Sequence, residues 1–236
     1  MNYAIIAAGE GSRLVKEGVS SPKPLVSLNG EKMIDRLIRI FAANKAESIH
    51  IIVNEQMEEV YRHLQSRQWP VEVRVTVQST PSSMHSFYVL SQNMPRGKFC
   101  LTTVDTIFRE DEFASYIRAY EENTAEGGLF AVTDYIEDES PLYVEVDNAL
   151  KILNFKDQMY EGARYVSGGI YCLDSSCLPV LKNAVENGES RMRNYQRALV
   201  REGISLTAYP FTKIIDVDHA SDIAEAEKFL SVNTCL

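Results

Sequence analysis

An uninterrupted apolar run opens the chain and leads directly into two closely spaced glycines. Residues 3–8 are all aliphatic or aromatic, and Gly9 and Gly11 follow at once. A strand that is buried on both faces has this continuous apolar character, and such strands occur mostly in parallel sheets covered by helices. The run therefore predicts an α/β fold in which a central strand ends at a glycine loop.

Strand and helix patterns alternate through the first half of the chain. Apolar residues at positions 34, 37, 38 and 41 have the spacing of an amphipathic helix over about 32–44. Mostly apolar or alternating segments predict strands at 48–53, 71–77 and 99–104. Between and after them, helices are predicted at 56–67, 83–93 and 111–122. This alternation is typical of a mainly parallel sheet with helices on both faces.

The pattern changes after about residue 128. Strands with short links are predicted at 128–132, 142–146, 150–155 and 165–172, followed by helices at 175–187 and 191–202, strands at 205–209 and 213–217, and a closing helix at 220–230. The sequence thus predicts a three-layer, Rossmann-like α/β fold with a mixed, mainly parallel central sheet. We expect a single domain over residues 1–230 and a C-terminal tail over 231–236.

Composition excludes several classes of protein. The 236 residues carry 24 basic and 33 acidic side chains, a net charge of −9, which argues against a broad nucleic-acid or anionic membrane surface. No apolar run is long enough to cross a membrane. The four cysteines, Cys100, Cys172, Cys177 and Cys235, form no C-x-x-C pair. They argue against a zinc site and favour reduced thiols in the cytoplasm.

The glycine loop offers backbone N–H groups that no side chain shields, so it can wrap phosphate oxygens closely. Arg13 adds a planar cation directly after the loop, and Lys23 adds a compact one. A nucleoside triphosphate carries roughly four negative charges, which both cations would offset. The alternative is an ordinary strand–helix turn with two incidental basic residues.

Two other nucleotide-binding loops fail on the same residues. A dinucleotide fingerprint, as in an NAD-dependent dehydrogenase, needs a third glycine where Leu14 stands. A Walker A loop needs a lysine directly after its last glycine, and none occurs there.

The loop and its spacing to a lysine carry a more specific resemblance. Residues 7–14, followed by Lys23 within Pro22–Leu25, resemble the signature of sugar-phosphate nucleotidyltransferases, or NDP-sugar pyrophosphorylases, and of their cytidylyltransferase relatives, including the phosphocholine type. The resemblance implies catalytic roles for Arg13 and Lys23, which would neutralise phosphate charge. It also implies nucleotide binding by Ala7, Ala8, Gly9, Gly11, Ser12, Arg13 and Lys23.

Three aspartates match the places where this family binds Mg²⁺. Asp105 follows a predicted buried strand, at the edge where α/β sheets bind ligands; the alternative is a helix N-cap. Asp216 and Asp218 are two residues apart on a predicted strand, so both should project to one side. The resemblance implies that Asp105, as a catalytic residue, shares the Mg²⁺ with Asp216 or Asp218, and the sequence does not separate those two.

The base and acceptor segments follow the family order more loosely. Gln78, Ser83 and Ser86 lie where the family recognises the base, and the small polar residues there favour a pyrimidine. Lys156, Gly168 and Gly169 lie in the acceptor region. Lys156 lies near the usual family lysine, but its neighbours Phe155 and Asp157 depart from the usual Glu-Lys-Pro pattern, so a solvated surface charge is its alternative.

The resemblance implies an enzyme that moves a nucleoside monophosphate from an NTP to a phosphorylated acceptor such as a sugar 1-phosphate, and that releases pyrophosphate. One alternative is a CTP:phosphocholine-type enzyme, which would need an aromatic cage for its cation; the sequence offers Tyr135, Tyr143, Tyr160 and Tyr165. Another is a non-catalytic nucleotide sensor. We expect a monomer or small homo-oligomer with no nucleic-acid or membrane partner.

Overall fold

Strands and helices alternate through the first half of the chain. The computed structural model describes residues 1–122, 127–136 and 140–231. The elements of the first half are β1 (Asn2–Ala7), α1 (Ser12–Lys16), a 3₁₀ turn (Lys23–Leu25), β2 (Ser27–Leu28), β3 (Glu31–Lys32), α2 (Met33–Ala43), β4 (Ser48–Val53), α3 (Glu58–Gln65), β5 (Glu72–Val77), α4 (Ser83–Ser91), β6 (Lys98–Thr103), β7 (Thr106–Ile107) and α5 (Glu110–Glu122).

The second half is richer in strands. Its elements are β8 (Gly128–Thr133), β9 (Tyr143–Val146), β10 (Ile152–Lys156), β11 (Tyr165–Asp174), a 3₁₀ turn (Ser175–Cys177), α6 (Leu178–Glu186), α7 (Met192–Arg201), β12 (Leu206–Phe211), β13 (Ile215–Asp216) and α8 (Ala220–Ser231). Within the described ranges, no helix has the length and apolar character that a membrane span requires.

One mixed sheet connects the two halves. Its strands follow the order β10-β9-β11-β6-β1-β4-β5, and β8 joins it beside β11 with β12 on its far side. The strands β1, β4, β5 and β6 are parallel, and of the others only β10 and β11 run in the opposite direction. The predicted mixed, mainly parallel sheet is confirmed.

Helices cover both faces of the sheet because the buried strands present apolar side chains alternately to each side. On β1, Tyr3 and Ile5 pack with residues of α2, α3 and α5, whereas Ala4 and Ile6 pack with residues of α4, α6 and α7. The Tyr3 ring stacks on Phe41 at 4.3 Å between centroids. Burying one such large side chain stabilises a fold by roughly 1.5–3 kcal/mol. The predicted three-layer architecture is therefore confirmed.

A third apolar cluster packs α8 against α1, the helix that follows the glycine loop. Phe229 of α8 packs in one cluster with Leu14 of α1 and Val217. The short strands β7 and β13 pair antiparallel, and the Val217 amide donates to the Asp105 carbonyl at 3.1 Å. This small ladder brings two distant aspartate segments together at one edge of the main sheet.

Some predicted boundaries differ from the structure. The strand expected at 213–217 is reduced to Ile215–Asp216 and pairs with β7 outside the main sheet. The helix expected at 56–67 begins only at Glu58, because the Asn54 side chain accepts the Gln56 amide and holds a turn there. The segment 232–236 of the predicted tail, with Cys235, lies outside the described residues, and the division into one domain and a tail stays a prediction.

Candidate active site

The glycine loop forms the tight connection between β1 and α1. Gly11 adopts a left-handed conformation with φ of 60°, and a Cβ there would lie 3.0 Å from the Lys23 Cβ. A Cβ on Gly9 would meet nothing within 4 Å. Gly11 is thus needed for the backbone turn and for the close approach of Lys23, while Gly9 leaves an open face toward the neighbouring cavity.

This first cavity has a volume of about 560 Å³ and lies over the carboxyl ends of β1 and β6. Such a volume is typical of small-molecule sites, and this edge of the sheet is where α/β folds bind ligands. Of the predicted nucleotide-binding and catalytic residues, the cavity is lined by Ala8, Gly9, Gly11, Ser12, Arg13, Lys23, Ser83, Ser86 and Asp105. Ala7 is buried within β1 instead.

Small polar side chains line the far end of the same cavity. Thr80 and Ser86 share a hydrogen bond of 2.6 Å between their hydroxyl oxygens. Asn54 accepts a hydrogen bond from the Ser79 hydroxyl at 2.9 Å. Gln78, which the sequence predicted to bind the nucleotide, is exposed and does not line the cavity. Its backbone amide donates to the Val53 carbonyl. Asn54 and Thr80 were missed, although the position of Asn54 directly after β4 was an available signal.

Lys23 lies at the centre of the charged groups in this site. Its side chain is only 8% exposed, and its Nζ contacts a carboxylate oxygen of Asp105 and, at 2.6 Å, Oδ1 of Asp218. The Arg13 guanidinium contacts the other Asp218 oxygen at 2.9 Å. Burial lowers the pKa of Lys23, but the two carboxylates raise it more, so its pKa lies above the ordinary lysine value. Lys23 therefore stays a cation at neutral pH.

Asp218 is held as an anion by the same groups. Partial burial raises the pKa of its carboxyl, but Lys23 and Arg13 lower it more, and the net pKa lies below the ordinary value. Asp218 lines both this cavity and a second one beside it, as does Arg13. Two oppositely charged side chains thus mark the junction between the cavities.

Asp105 has the features expected of a cation ligand. One of its carboxylate oxygens contacts Lys23, while Oδ1 is buried and has no hydrogen-bond partner. A buried carboxylate oxygen without a partner costs free energy unless a ligand or ion satisfies it. Oxygen ligands of this kind suit Mg²⁺. Among the described residues, however, no group of three or more histidine, cysteine or acidic side chains is close enough to hold a metal by itself.

The structure separates the two aspartates that the sequence could not. The amide of Asp218 donates to the carbonyl of Asp216 at 3.1 Å, so the chain turns sharply after β13 and the alternation of a strand ends. Asp218 reaches Lys23, whereas Asp216 lines only the second cavity. Asp222, in the first turn of α8, accepts the amides of Asp218 and His219 and so fixes the segment that enters the helix.

The second cavity adjoins the first and is narrower, with a volume of about 110 Å³. Gly168 lines it, as predicted for the acceptor region. Gly169 does not line it, and a Cβ there would lie 3.1 Å from the Thr106 hydroxyl oxygen. Lys156 is also absent from the wall, since its Nζ pairs with Glu145 at 2.9 Å and lies 4.2 Å from the Tyr160 ring centroid.

Apart from Arg13 of α1, the walls of the second cavity come from three separate segments. They are the end of β8 with the residues after it, the start of β11, and the stretch from β12 to α8. The lining residues are Arg13, Thr133, Tyr135, Ile136, Pro141, Val166, Ser167, Gly168, Ile214, Ile215, Asp216, Asp218, His219 and Asp222.

Together, these features define a three-layer α/β protein with a cavity at its glycine loop and a second cavity beside it. Residues 3–232 match the family model described as nucleotidyl transferase. The chain therefore belongs to the nucleotidyl transferase family, and the predicted membership in this superfamily is confirmed.

Relatives of this chain include proteins named as bifunctional. It is 25% identical over 224 residues, or 89% of its length, to the bifunctional protein GlmU of Methanococcus vannielii, covering 51% of that protein. It is 25% identical over 234 residues, or 96% of its length, to the bifunctional IPC transferase and DIPP synthase of Aquifex aeolicus, again covering 51%. The chain thus spans about half the length of these curated relatives.

Two solved structures share the fold over nearly the whole chain. The inositol-1-phosphate CTP transferase from T. maritima superposes with a TM-score of 0.81 and 16% identity, covering 100% of this chain and 98% of the other. A structure described as a glucose-1-phosphate thymidylyltransferase from Bacillus anthracis, in complex with a sucrose, gives a TM-score of 0.85 and 19% identity, covering 97% and 94%.

Proposed function

We propose that this chain transfers a nucleoside monophosphate from an NTP to a small phosphorylated acceptor and releases pyrophosphate. The observation that carries the proposal is the position of Arg13 and Asp218 at the junction of the two cavities, with Lys23 against Asp218 on the side of the larger one. The NTP would occupy the larger cavity with its phosphates on the glycine loop. The acceptor would occupy the smaller one, and its phosphate would meet the NTP at the junction.

The chemistry would be an in-line displacement. A phosphate oxygen of the acceptor forms a bond to the α-phosphorus of the NTP, while the bond from that phosphorus to the bridging oxygen breaks and pyrophosphate leaves. The attacking oxygen is already anionic, so no base has to remove a proton. Arg13 and Lys23 would offset the charge on the phosphates, and the remaining contribution is positioning of the two substrates.

We further propose a Mg²⁺ ion held by Asp105 and Asp218. The partnerless Oδ1 of Asp105 and the acidic pair around Lys23 support this choice. When bound, the ion would supply positive charge to the phosphate oxygens at the reacting centre. Asp216 lines the acceptor cavity and is placed in this proposal as part of its wall.

For the nucleobase, we propose a pyrimidine. The Thr80–Ser86 hydroxyl pair and the Asn54 amide would meet its polar edge. Ser83 begins α4, and the first amides of a helix are hydrogen-bond donors without partners in the helix. The pyrimidine nucleotides in the names of the two structural neighbours are compatible with this choice.

For the acceptor, the geometry favours a hydroxylated body, such as a sugar or polyol phosphate, over phosphocholine. The four tyrosines that the sequence offered for an aromatic cage do not come together. Only Tyr135 lines the acceptor cavity. Cations of the chain itself lie near the rings of Tyr135, Tyr160 and Tyr165, as the Lys213, Lys156 and Arg164 contacts show. A phosphocholine-type enzyme remains the second candidate.

The decisive experiment combines the four NTPs with a panel of sugar 1-phosphates, inositol 1-phosphate and phosphocholine, with pyrophosphate release as the measurement. We expect release with a pyrimidine NTP and at least one uncharged-body acceptor, that is, a sugar or polyol phosphate with no charge apart from its phosphate. Release only with phosphocholine would establish the second candidate. Nucleotide binding without release from any pair would point to a non-catalytic sensor.

We also propose that residues 1–230 act as one catalytic domain, as a monomer or small homo-oligomer without nucleic-acid or membrane partners. A cytoplasmic location is proposed with them, since the described cysteines Cys100, Cys172 and Cys177 are free thiols.

A further inference from the structure

A cluster behind the acceptor cavity joins three separate segments of the chain. Tyr135 follows β8, Lys213 lies between β12 and β13, and Glu225 lies in α8. The Tyr135 hydroxyl donates to Glu225 Oε1, and the Lys213 ammonium contacts the same oxygen. Lys213 Nζ lies 3.7 Å from the centroid of the Tyr135 ring. The three side chains therefore hold one another in place.

The backbone fixes the same tyrosine from its other side. The Tyr135 amide donates to the Thr133 hydroxyl oxygen at 3.1 Å, and Thr133 also lines the acceptor cavity. Lys213 and Glu225 do not line that cavity, and their side chains are only 22% and 29% exposed. Tyr135 thus forms part of the wall, and the ion pair stands behind it.

The charge behind the wall bears on which acceptors fit. An aromatic ring attracts a cation to its face, and Lys213 already places a positive charge on one face of the Tyr135 ring. A cation-bearing acceptor in the cavity would approach the Tyr135 ring, which Lys213 already contacts. The Glu225 carboxylate would offer it little attraction, because Lys213 offsets that charge. Specificity of this kind often depends on a repulsive element directed against the wrong partner.

We propose that Tyr135 is the acceptor-selecting side chain, positioned by Glu225 and Lys213, and that the Lys213 ammonium biases the cavity against acceptors that carry a cation. This inference rests on the proposed nucleotidyl transfer and concerns only the acceptor. Lys213 and Glu225 are positioning residues, because they act through the tyrosine.

The test compares the wild-type protein with Lys213→Met, which removes the charge and keeps a side chain of similar length. For phosphocholine and for the best uncharged-body acceptor, kcat and KM are measured by pyrophosphate release. We expect the ratio of kcat/KM values to shift toward phosphocholine by about tenfold, as for one charge about 10 Å away at an effective dielectric constant near 20. The KM for the NTP should not change.

Three further variants separate selection from general damage. Lys228→Met removes an exposed lysine from the same helix as Glu225 and should leave the ratio unchanged. The double variant Lys213→Met with Glu225→Gln removes the ammonium and the carboxylate together, so its ratio should lie between those of the wild type and of Lys213→Met. Tyr135→Phe keeps the ring but loses the hydrogen bond to Glu225, and should raise the acceptor KM several-fold with little change in kcat or in the KM for the NTP.

Different outcomes would overturn different statements. If Lys213→Met stays active and its acceptor ratio changes less than twofold, the selecting role of the cluster is wrong while nucleotidyl transfer stands. A wild-type preference for phosphocholine would also show that the selecting role is wrong, while nucleotidyl transfer stands. If no NTP and acceptor pair releases pyrophosphate with the wild-type protein, the proposed function fails and this inference fails with it.

Discussion

Two regions of the molecule build their cavities differently. The nucleotide region, residues 1–122, forms most of the cavity that we propose for the NTP. The acceptor region, the described residues from 127 to 231, forms most of the cavity that we propose for the acceptor. The nucleotide cavity is lined mainly by three short continuous segments near 8–13, 80–86 and 103–105. Each lies at or beyond the end of a parallel strand or at the start of a helix. The acceptor cavity instead combines strand, connection and helix residues that are far apart in sequence. A local motif therefore identifies the first cavity, whereas only packing creates the second.

The largest effect should come from the nucleotide region. Asp105→Asn removes the charge of a carboxylate that contacts Lys23, has one buried oxygen and is a metal ligand in our proposal. We expect kcat to fall on the order of 10²–10³-fold, as when one electrostatic contact to a transition state is removed. Pyrophosphate release and circular dichroism would show whether activity falls while the fold survives.

The matched control is Asp111→Asn on the exposed first turn of α5, which should keep wild-type activity. Near-normal turnover of Asp105→Asn with Mg²⁺ would show that the metal assignment is wrong.

Two glycine variants test the contrast between the regions directly. A Cβ on Gly168 would lie 2.3 Å from the Ile214 Cδ1 and 3.2 Å from the Ala131 carbonyl oxygen. The Cδ1 ends a flexible side chain and can shift, so Gly168→Ala should raise the acceptor KM and lower stability by about 1 kcal/mol. A Cβ on Gly9 would enter open space, so Gly9→Ala should keep stability and raise the KM for the NTP. Chemical denaturation and steady-state kinetics measure both. If both variants changed stability and the two KM values in the same way, the proposed difference between the two cavities would be wrong.

A smaller effect concerns the cation between the two aspartates. The Lys23 ammonium contacts both carboxylates that we propose for the metal. Lys23→Met should therefore raise the affinity of the free protein for Mn²⁺, used as a Mg²⁺ probe, by about tenfold, because one cation no longer competes. Electron paramagnetic resonance counts the bound ion.

Lys16→Met, on the exposed end of α1, is the control for a general change of charge. Equal Mn²⁺ affinity in all three proteins would contradict competition between Lys23 and the metal.

The smallest effect is a surface ion pair away from both cavities. Arg39 forms two 2.8 Å hydrogen bonds with Glu110, and these hold the pKa of Glu110 below its ordinary value. A lowered folded-state pKa stabilises the fold above about pH 4.5, and this contribution is lost as the pH falls below that value. Both side chains are about half exposed, so the contribution should be below about 1 kcal/mol.

Denaturation of Glu110→Gln and wild-type protein at pH 7 and pH 3 measures this difference, with Glu122→Gln as an exposed control on the same helix. The two curves should differ at pH 7 and approach each other at pH 3. Any loss of activity in Glu110→Gln would show that charges remote from the glycine loop also matter for turnover.

Much of the fold followed from sequence because its signals are local. A continuous apolar run predicted β1, a mostly apolar segment predicted β4, and the helical spacing of four apolar residues predicted α2. The reduction of the strand expected at 213–217 was not predictable in this way, because that segment pairs with the two residues of β7 rather than with the main sheet. Such pairing depends on a distant partner, and the period of a short strand does not reveal which one.

The sequence by itself determined the glycine loop, the spacing from Arg13 to Lys23 and the placement of Asp105 after a buried strand. Those features depend on neighbouring residues and on the rule that strands end at a common edge. Only the tertiary structure decided that Asp218 rather than Asp216 reaches Lys23, that Lys156 turns to Glu145, and that Lys213 covers the Tyr135 ring. These contacts join residues far apart in the chain, so their geometry follows from packing and not from spacing.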